Sequence, residues 1–84
     1  MKYLGINAAA TQLGIHESTL RRWEEWELIV PERADMGKIS VRIYDEDDMR
    51  VLRSAKSLMN SGVQLREAFE RAHSEMTRKE AHHD

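Results

Sequence analysis

The stretch "ESTLRRWEEWEL", Glu17–Leu28, sets two adjacent arginines among four glutamates and two tryptophans. Leu20, Trp23 and Trp26 recur at intervals of three, the spacing of an inward-facing stripe on a helix. Ser18, Arg21, Arg22 and Glu25 then share another face at i, i+3, i+4 and i+7. Just upstream, "INAAATQLGI" reads as a short helix. Asn7 is its expected N-cap, Ala8 to Ala10 are strong helix formers, and Gly14 suits the left-handed position after Leu13. Two short helices joined by about four residues that include a glycine make a helix-turn-helix. The second helix is expected over about residues 17–26.

Working outward, Pro31 in "LIVPER" blocks continuation of that helix. Gly37-Lys38 reads as a turn, and Ile39, Val41 and Ile43 alternate with Ser40, Arg42 and Tyr44. The pattern predicts a β-hairpin over 29–43, with Ile29–Arg33 paired against Ile39–Ile43. A lone two-stranded hairpin is marginal, so it should pack beside the helices as a wing. The acidic run "DEDD", Asp45–Asp48, precedes an apolar-periodic segment and is read as a helix N-terminus, where carboxylates cap free N–H groups. A third helix is expected over Glu46–Asn60, closed by Gly62. A fourth should start at Val63 or Leu65 and run to about Arg78, with Leu65, Ala68, Phe69, Ala72 and Met76 on one face. The expected fold is mostly α with a small β-hairpin wing: a winged helix-turn-helix of four helices. Residues 1–80 should form a single domain and residues 81–84 a frayed tail.

Eighty-four residues allow one domain, and 40% hydrophobic against 33% charged residues describe a folding chain. No cysteine is present, which excludes disulfides and thiolate metal sites and fits a reducing cytoplasm. No apolar run is long enough to span a bilayer, and the N-terminus lacks signal-peptide character. The net charge of −2 does not advertise nucleic acid, so any basic surface must be local. Between Met49 and Lys79 seven basic side chains outnumber three acidic ones. His16, His73, His82 and His83 lack the spacing of a closed zinc site; His82-His83-Asp84 fits a frayed tail better than a metal site. Nothing in the sequence resembles a catalytic constellation or a glycine-rich phosphate loop, so neither an enzyme nor a cofactor is expected.

The sequence resembles the DNA-binding domain of mercury-resistance-regulator (MerR) type proteins, a winged helix-turn-helix. The resemblance rests on "AAATQLGI", "TLRRWEEWELIVPER", "VRIYDEDDM" and "LMNSGVQLREAF" and covers roughly residues 3 to 72. There are departures. The family usually has serine or threonine where His16 stands. Histidine caps poorly, so the helix start should shift toward Ser18. It usually has glycine where Glu27 stands, and a side chain there either strains at positive φ or alters the turn. The wing looks a residue or two longer than usual. The sequence stops after the fourth helix, where family regulators continue into a long dimerisation helix.

A helix that buries Leu20 and Trp23 while exposing Ser18, Arg21 and Arg22 fits a DNA major groove, where an arginine fork matches guanine or phosphate. The resemblance implies that Arg21 is the more invariant contact, to phosphate, and Arg22 the more variable. Arg22, Ser18 and Glu17 are expected at bases. Arg42 is expected at backbone or minor groove, Tyr44 at the wing base, Lys38 at phosphate from the wing tip, and Arg53 as a weaker phosphate contact from the third helix. Bland readings remain beside these. The arginine pair suits a solvated face with salt bridges to glutamate, Arg42 an edge-strand charge, and Tyr44 the core. Trp26 suits core or partner contact equally.

The partner expected is double-stranded DNA, met as a homo-oligomer or a cooperative assembly, with no membrane and no small-molecule effector site in this chain. The expected role is a bacterial or phage transcription regulator, cytoplasmic and nucleoid-associated. An excisionase-like recombination accessory factor, the DNA-binding part of a longer protein, and a protein-interaction module without DNA are the alternatives.

Overall fold

The computed structural model describes residues 3–81, without the side chains of residue 36 and residues 77–81. In chain order the elements are α1 (Ile6–Leu13), α2 (Glu17–Glu25), β1 (Glu32–Met36), β2 (Ile39–Ile43), α3 (Glu46–Asn60) and α4 (Leu65–Ala81). This is the mostly helical architecture with one antiparallel hairpin that the sequence predicts. Two compact units divide the chain, Met1–Met49 and Arg50–Asp84, with the boundary inside α3. Residues 82–84 of the expected frayed tail, including His82, His83 and Asp84, lie outside the described residues.

In the first unit, α1 starts one residue before the expected Asn7 cap. Gly5 stands at the cap position in extended conformation and no side chain caps the helix. The cause is a backbone bridge: Leu4 N–H donates to Tyr44 O at 2.9 Å and Tyr44 N–H to Leu4 O at 2.8 Å. That bridge ends the extended segment at Leu4, so the helical turn opens at once and Asn7 falls inside it. The other end is as expected. Gly14 has φ +69°, and Ile15 N–H reaches Ala10 O at 3.1 Å, closing the helix in a left-handed cap that a Cβ would strain.

α2 starts at Glu17, and the expected shift toward Ser18 does not occur. His16 serves as the N-cap because its Nδ1 accepts from Ser18 N–H at 3.2 Å. Leu20 (0% exposed) and Trp23 (7%) face inward, but Trp26 is 48% exposed and leaves the predicted inward stripe. The helix ends at Glu25, and Glu27 turns the chain at φ +60°. Leu28 and Ile29 then fill the interior in place of Trp26. Full burial of a leucine such as Leu20 is worth roughly 1.5–3 kcal/mol, enough to fix which face of α2 looks out.

The first strand is not Ile29–Arg33 but Glu32–Met36, three residues later. The two-residue loop Gly37-Lys38 sets the register, pairing Met36 with Ile39, Arg33 with Arg42 and Glu32 with Ile43. Gly37 supplies the positive φ, +72°, that such a tight loop requires. Ile29 is taken by the core and cannot serve a hairpin edge.

α3 opens as predicted, with a reciprocal cap. Asp48 N–H donates to Asp45 Oδ1 at 2.8 Å, and Asp45 N–H donates to Asp48 Oδ2 at 3.1 Å. Burial first, and then the charges of Asp45 and Asp47, push the Asp48 carboxyl up to about 6. In the second unit α3 buries Val51, Leu52 and Ala55, and α4 buries Ala68, Phe69 and Ala72. α4 starts at Leu65 and extends through Ala81, three residues past the expected end.

Candidate nucleic-acid interface

The outward side of α2 carries Ser18, Arg21, Arg22 and Glu25, all exposed, behind the buried anchors Leu20 and Trp23. The two arginines differ in what holds them. Arg21 is ion-paired with Glu17 at i, i+4, its side chain 53% exposed, so two of the expected base and phosphate contacts engage each other. A surface pair of this kind contributes about 0.3–0.5 kcal/mol, little enough for a phosphate to displace. Arg22 has no hydrogen-bond or ion-pair partner among the described residues and presents its guanidinium to solvent. Ser18 Oγ lies 2.8 Å from His16 Nδ1, so the serine side chain is held at the start of the helix rather than swinging freely.

The hairpin is tied to α2 through Glu24. Its half-buried carboxylate accepts from Arg33 Nη2 at 2.9 Å and from Arg42 Nε, with the Tyr44 hydroxyl at 3.5 Å. Arg33 and Arg42 stand directly opposite each other across the hairpin, an arrangement that like charges alone would destabilise. Glu24 compensates both. The hydrogen bond that Arg42 donates to Glu24 raises the Arg42 pKa above its ordinary value. Burial, and then the Glu24 charge, push the Tyr44 phenol up to about 12.

Arg42, expected at DNA backbone or minor groove, is therefore partly engaged within the chain, through Nε alone, which leaves its Nη edge unused by Glu24. Tyr44 is placed differently from the expectation of a contact. It is 0% exposed, and a side chain without surface supports the wing base instead of touching a ligand. Lys38 stands exposed at the hairpin tip. Arg53 is exposed on α3 and belongs to the second unit. The sequence reading missed Arg33 as a partner of Glu24. Counting the strand register back from Gly37-Lys38 places Arg33 opposite Arg42 and was the signal available. Among the described residues no group of three or more histidine, aspartate or glutamate side chains is arranged to hold a metal ion, and no helix is long and apolar enough to cross a membrane.

The family model described as the MerR HTH family of regulatory proteins matches residues 4–74. No curated protein matches the chain. Among solved structures, the chain is similar to HiNmlR, described as a MerR family regulator lacking the sensor domain, bound to promoter DNA. The TM-score is 0.71 at 23% identity, covering 90% of this chain and 56% of HiNmlR. At that identity the likeness speaks for the winged helix-turn-helix fold, and the chain spans little more than half the length of that structure.

Proposed function

This chain belongs to the MerR HTH family of regulatory proteins, and from that premise we propose that it binds double-stranded DNA sequence-specifically as a bacterial or phage transcription regulator. Its place of work is then the nucleoid in the cytoplasm, and its role is binding rather than catalysis. α2 enters the major groove, the hairpin lies along the backbone, and residues 1–80 act as a single winged helix-turn-helix domain. The observation that carries this reading is the free Arg22 on a helix whose opposite face is fixed by buried Leu20 and Trp23. Ser18 stands beside it, and Arg21 joins when phosphate replaces Glu17. Lys38 and the unused edge of Arg42 serve backbone phosphates, with Arg53 as a further phosphate contact. The neighbour HiNmlR was captured on promoter DNA, which supports the choice of a duplex as ligand. On α2 and the hairpin only Arg22 and Lys38 lack an ion-pair partner among the described residues, so that surface of one protomer gains little from phosphates alone, and affinity comes from a homo-oligomer or a cooperative assembly on the DNA.

Selection of bound duplexes from random-sequence DNA, followed by titration at several salt concentrations, tests the proposal. The expected result is a defined site, with Arg22→Ala weakening binding to it by about tenfold. Equal binding to selected and scrambled duplexes, or an unchanged affinity for the Arg22→Ala variant, would overturn it.

A further inference from the structure

Glu25 lies at the C-terminal end of the surface assigned above to the major groove, on the same helical face, seven residues after Ser18, four after Arg21 and three after Arg22. It is exposed and, among the described residues, has no ion-pair or hydrogen-bond partner, although both arginines are within helical reach. It is also the last residue of α2, where the negative end of the helix dipole disfavours a carboxylate. Glu24, next to it, is repaid for the same cost by Arg33 and Arg42. Glu17 sits at the favourable end and holds Arg21. Arg22 lies in the same last turn, but among the described residues no cation pairs with the Glu25 carboxylate itself, and facing a polyanion would add repulsion.

A carboxylate in a DNA groove is compensated only by a donor, and the major groove offers exocyclic amino groups. Cytosine N4–H matches an acceptor-only side chain best, because the adenine N6–H donor stands beside the N7 acceptor, which repels a carboxylate. We propose that Glu25 is a specificity-determining residue that accepts a hydrogen bond from a cytosine N4 amino group in the major groove, while penalising every site that places no donor there. The inference rests on the DNA-binding reading given above and deepens it. Arg22 selects through attraction, and Glu25 selects chiefly by rejection, a division that specificity commonly needs. The consequence for the ligand is concrete: three residues along α2 span about 4.5 Å, so the recognised half-site contains a cytosine within about one or two base pairs of the base or phosphate that meets Arg22.

The test compares the full chain with its Glu25→Ala and Glu25→Gln variants. Each is titrated with the duplex selected by the unmodified chain and with a scrambled duplex of equal length. Both substitutions remove an acid from a C-terminal helical turn, so circular dichroism should report an intact fold. Glu25→Ala is expected to bind the scrambled duplex severalfold more tightly and the selected duplex less tightly, lowering the ratio of the two affinities by about tenfold. Repeating the selection with Glu25→Gln should move one position from cytosine toward adenine, the base that a glutamine amide pairs with. Equal tightening on both duplexes, or no change on either, would make Glu25 a plain surface acid and overturn the inference, even with the Arg22→Ala defect intact. Failure of the unmodified chain to select any duplex would remove the DNA-binding reading itself, and this inference with it.

Discussion

Glu24→Ala is the perturbation that separates a wing held by design from one that merely lies nearby. In the structure the Glu24 side chain is 13% exposed and the Arg42 side chain 28%, so their hydrogen bond is partly shielded from water. A hydrogen bond to a charged group in such a setting contributes about 1.5–2 kcal/mol. The Arg33 side chain is 50% exposed, and its pair is discounted to about 0.5 kcal/mol. Removing an acid near a helix C-terminus returns about 0.5 kcal/mol. The Tyr44 hydroxyl, at 3.5 Å, adds little. The net expectation is a loss of about 1.5–2 kcal/mol, which lowers Tm by roughly 6–16 °C in a domain of this size. A double-mutant cycle with Arg42→Ala, read by urea or thermal unfolding, should give a coupling above 1 kcal/mol, and the matching cycle with Arg33→Ala a smaller one. On DNA the sign is diagnostic. Simple charge counting says that deleting a carboxylate strengthens binding to a polyanion, whereas a positioning role says that affinity falls as the wing arginines lose their orientation. A coupling below about 0.5 kcal/mol, within ordinary additivity, together with tighter DNA binding would refute the argument.

Three further outcomes follow from single residues. Glu27 holds φ +60°, so Glu27→Gly should stabilise the chain by about 0.5–1 kcal/mol by relieving left-handed strain, visible as a Tm rise of roughly 2–8 °C; a fall would mean that the glutamate side chain contributes more than the strain costs. His16→Ala should cost about 1 kcal/mol through loss of the cap to Ser18 N–H, and His16→Asn should preserve stability. Asp48 has a folded pKa raised to about 6, so its protonated form favours folding: the contribution is full below about pH 4, and is lost as pH rises through 6. Asp48→Asn keeps an acceptor for Asp45 N–H without the charge; its Tm advantage over the unmodified chain should be largest near pH 7 and vanish near pH 4.

Helical elements were legible where capping and periodicity agreed. The bounds of α3 follow from Asp45 at one end and the glycine turn at the other, and each signal is local. The end of α1 was legible for the same reason, through Gly14. What the sequence concealed was decided by partners distant in the chain. The Asn7 cap lost to a backbone bridge between Leu4 and Tyr44, forty residues apart in sequence, which no local pattern announces. Ile29 looked like a strand residue by its β-branched type, yet a buried position beside Leu28 claimed it, and the strand moved on to a polar segment that apolar alternation does not mark. Trp26 followed the spacing of the inward stripe, but a stripe ends where its helix ends, and Glu27 turned the backbone one residue later. At the candidate interface the exposed set was legible from helical geometry alone. The pairing among its charges was not, because several arginines compete for a few carboxylates and only the hairpin register decides which meet.

That pairing shows how a chain of net charge −2 could present the proposed DNA-reading surface. Glu17 and Glu24 are each committed to arginines, and those arginines are thereby held instead of scattered. The cost is that, on α2 and the hairpin, only Arg22 and Lys38 among the described residues are left without an ion pair and ready for phosphate, and phosphate neutralisation is what supplies sequence-independent affinity. A protomer built this way should show a shallow dependence of affinity on salt, steepening as Glu17 or Glu24 releases its partners. Under the proposals above, its discrimination would come from the groups left uncommitted on α2, chiefly Arg22 with Glu25 against it, at roughly 1–3 kcal/mol per good base contact. Two or three such contacts fall short of genomic selectivity for one protomer, whereas protomers linked on adjacent half-sites multiply them. On the proposed reading, weak single binding and strong assembled binding would be two consequences of one charge arrangement, and a measured salt slope of many phosphates per protomer would contradict both together.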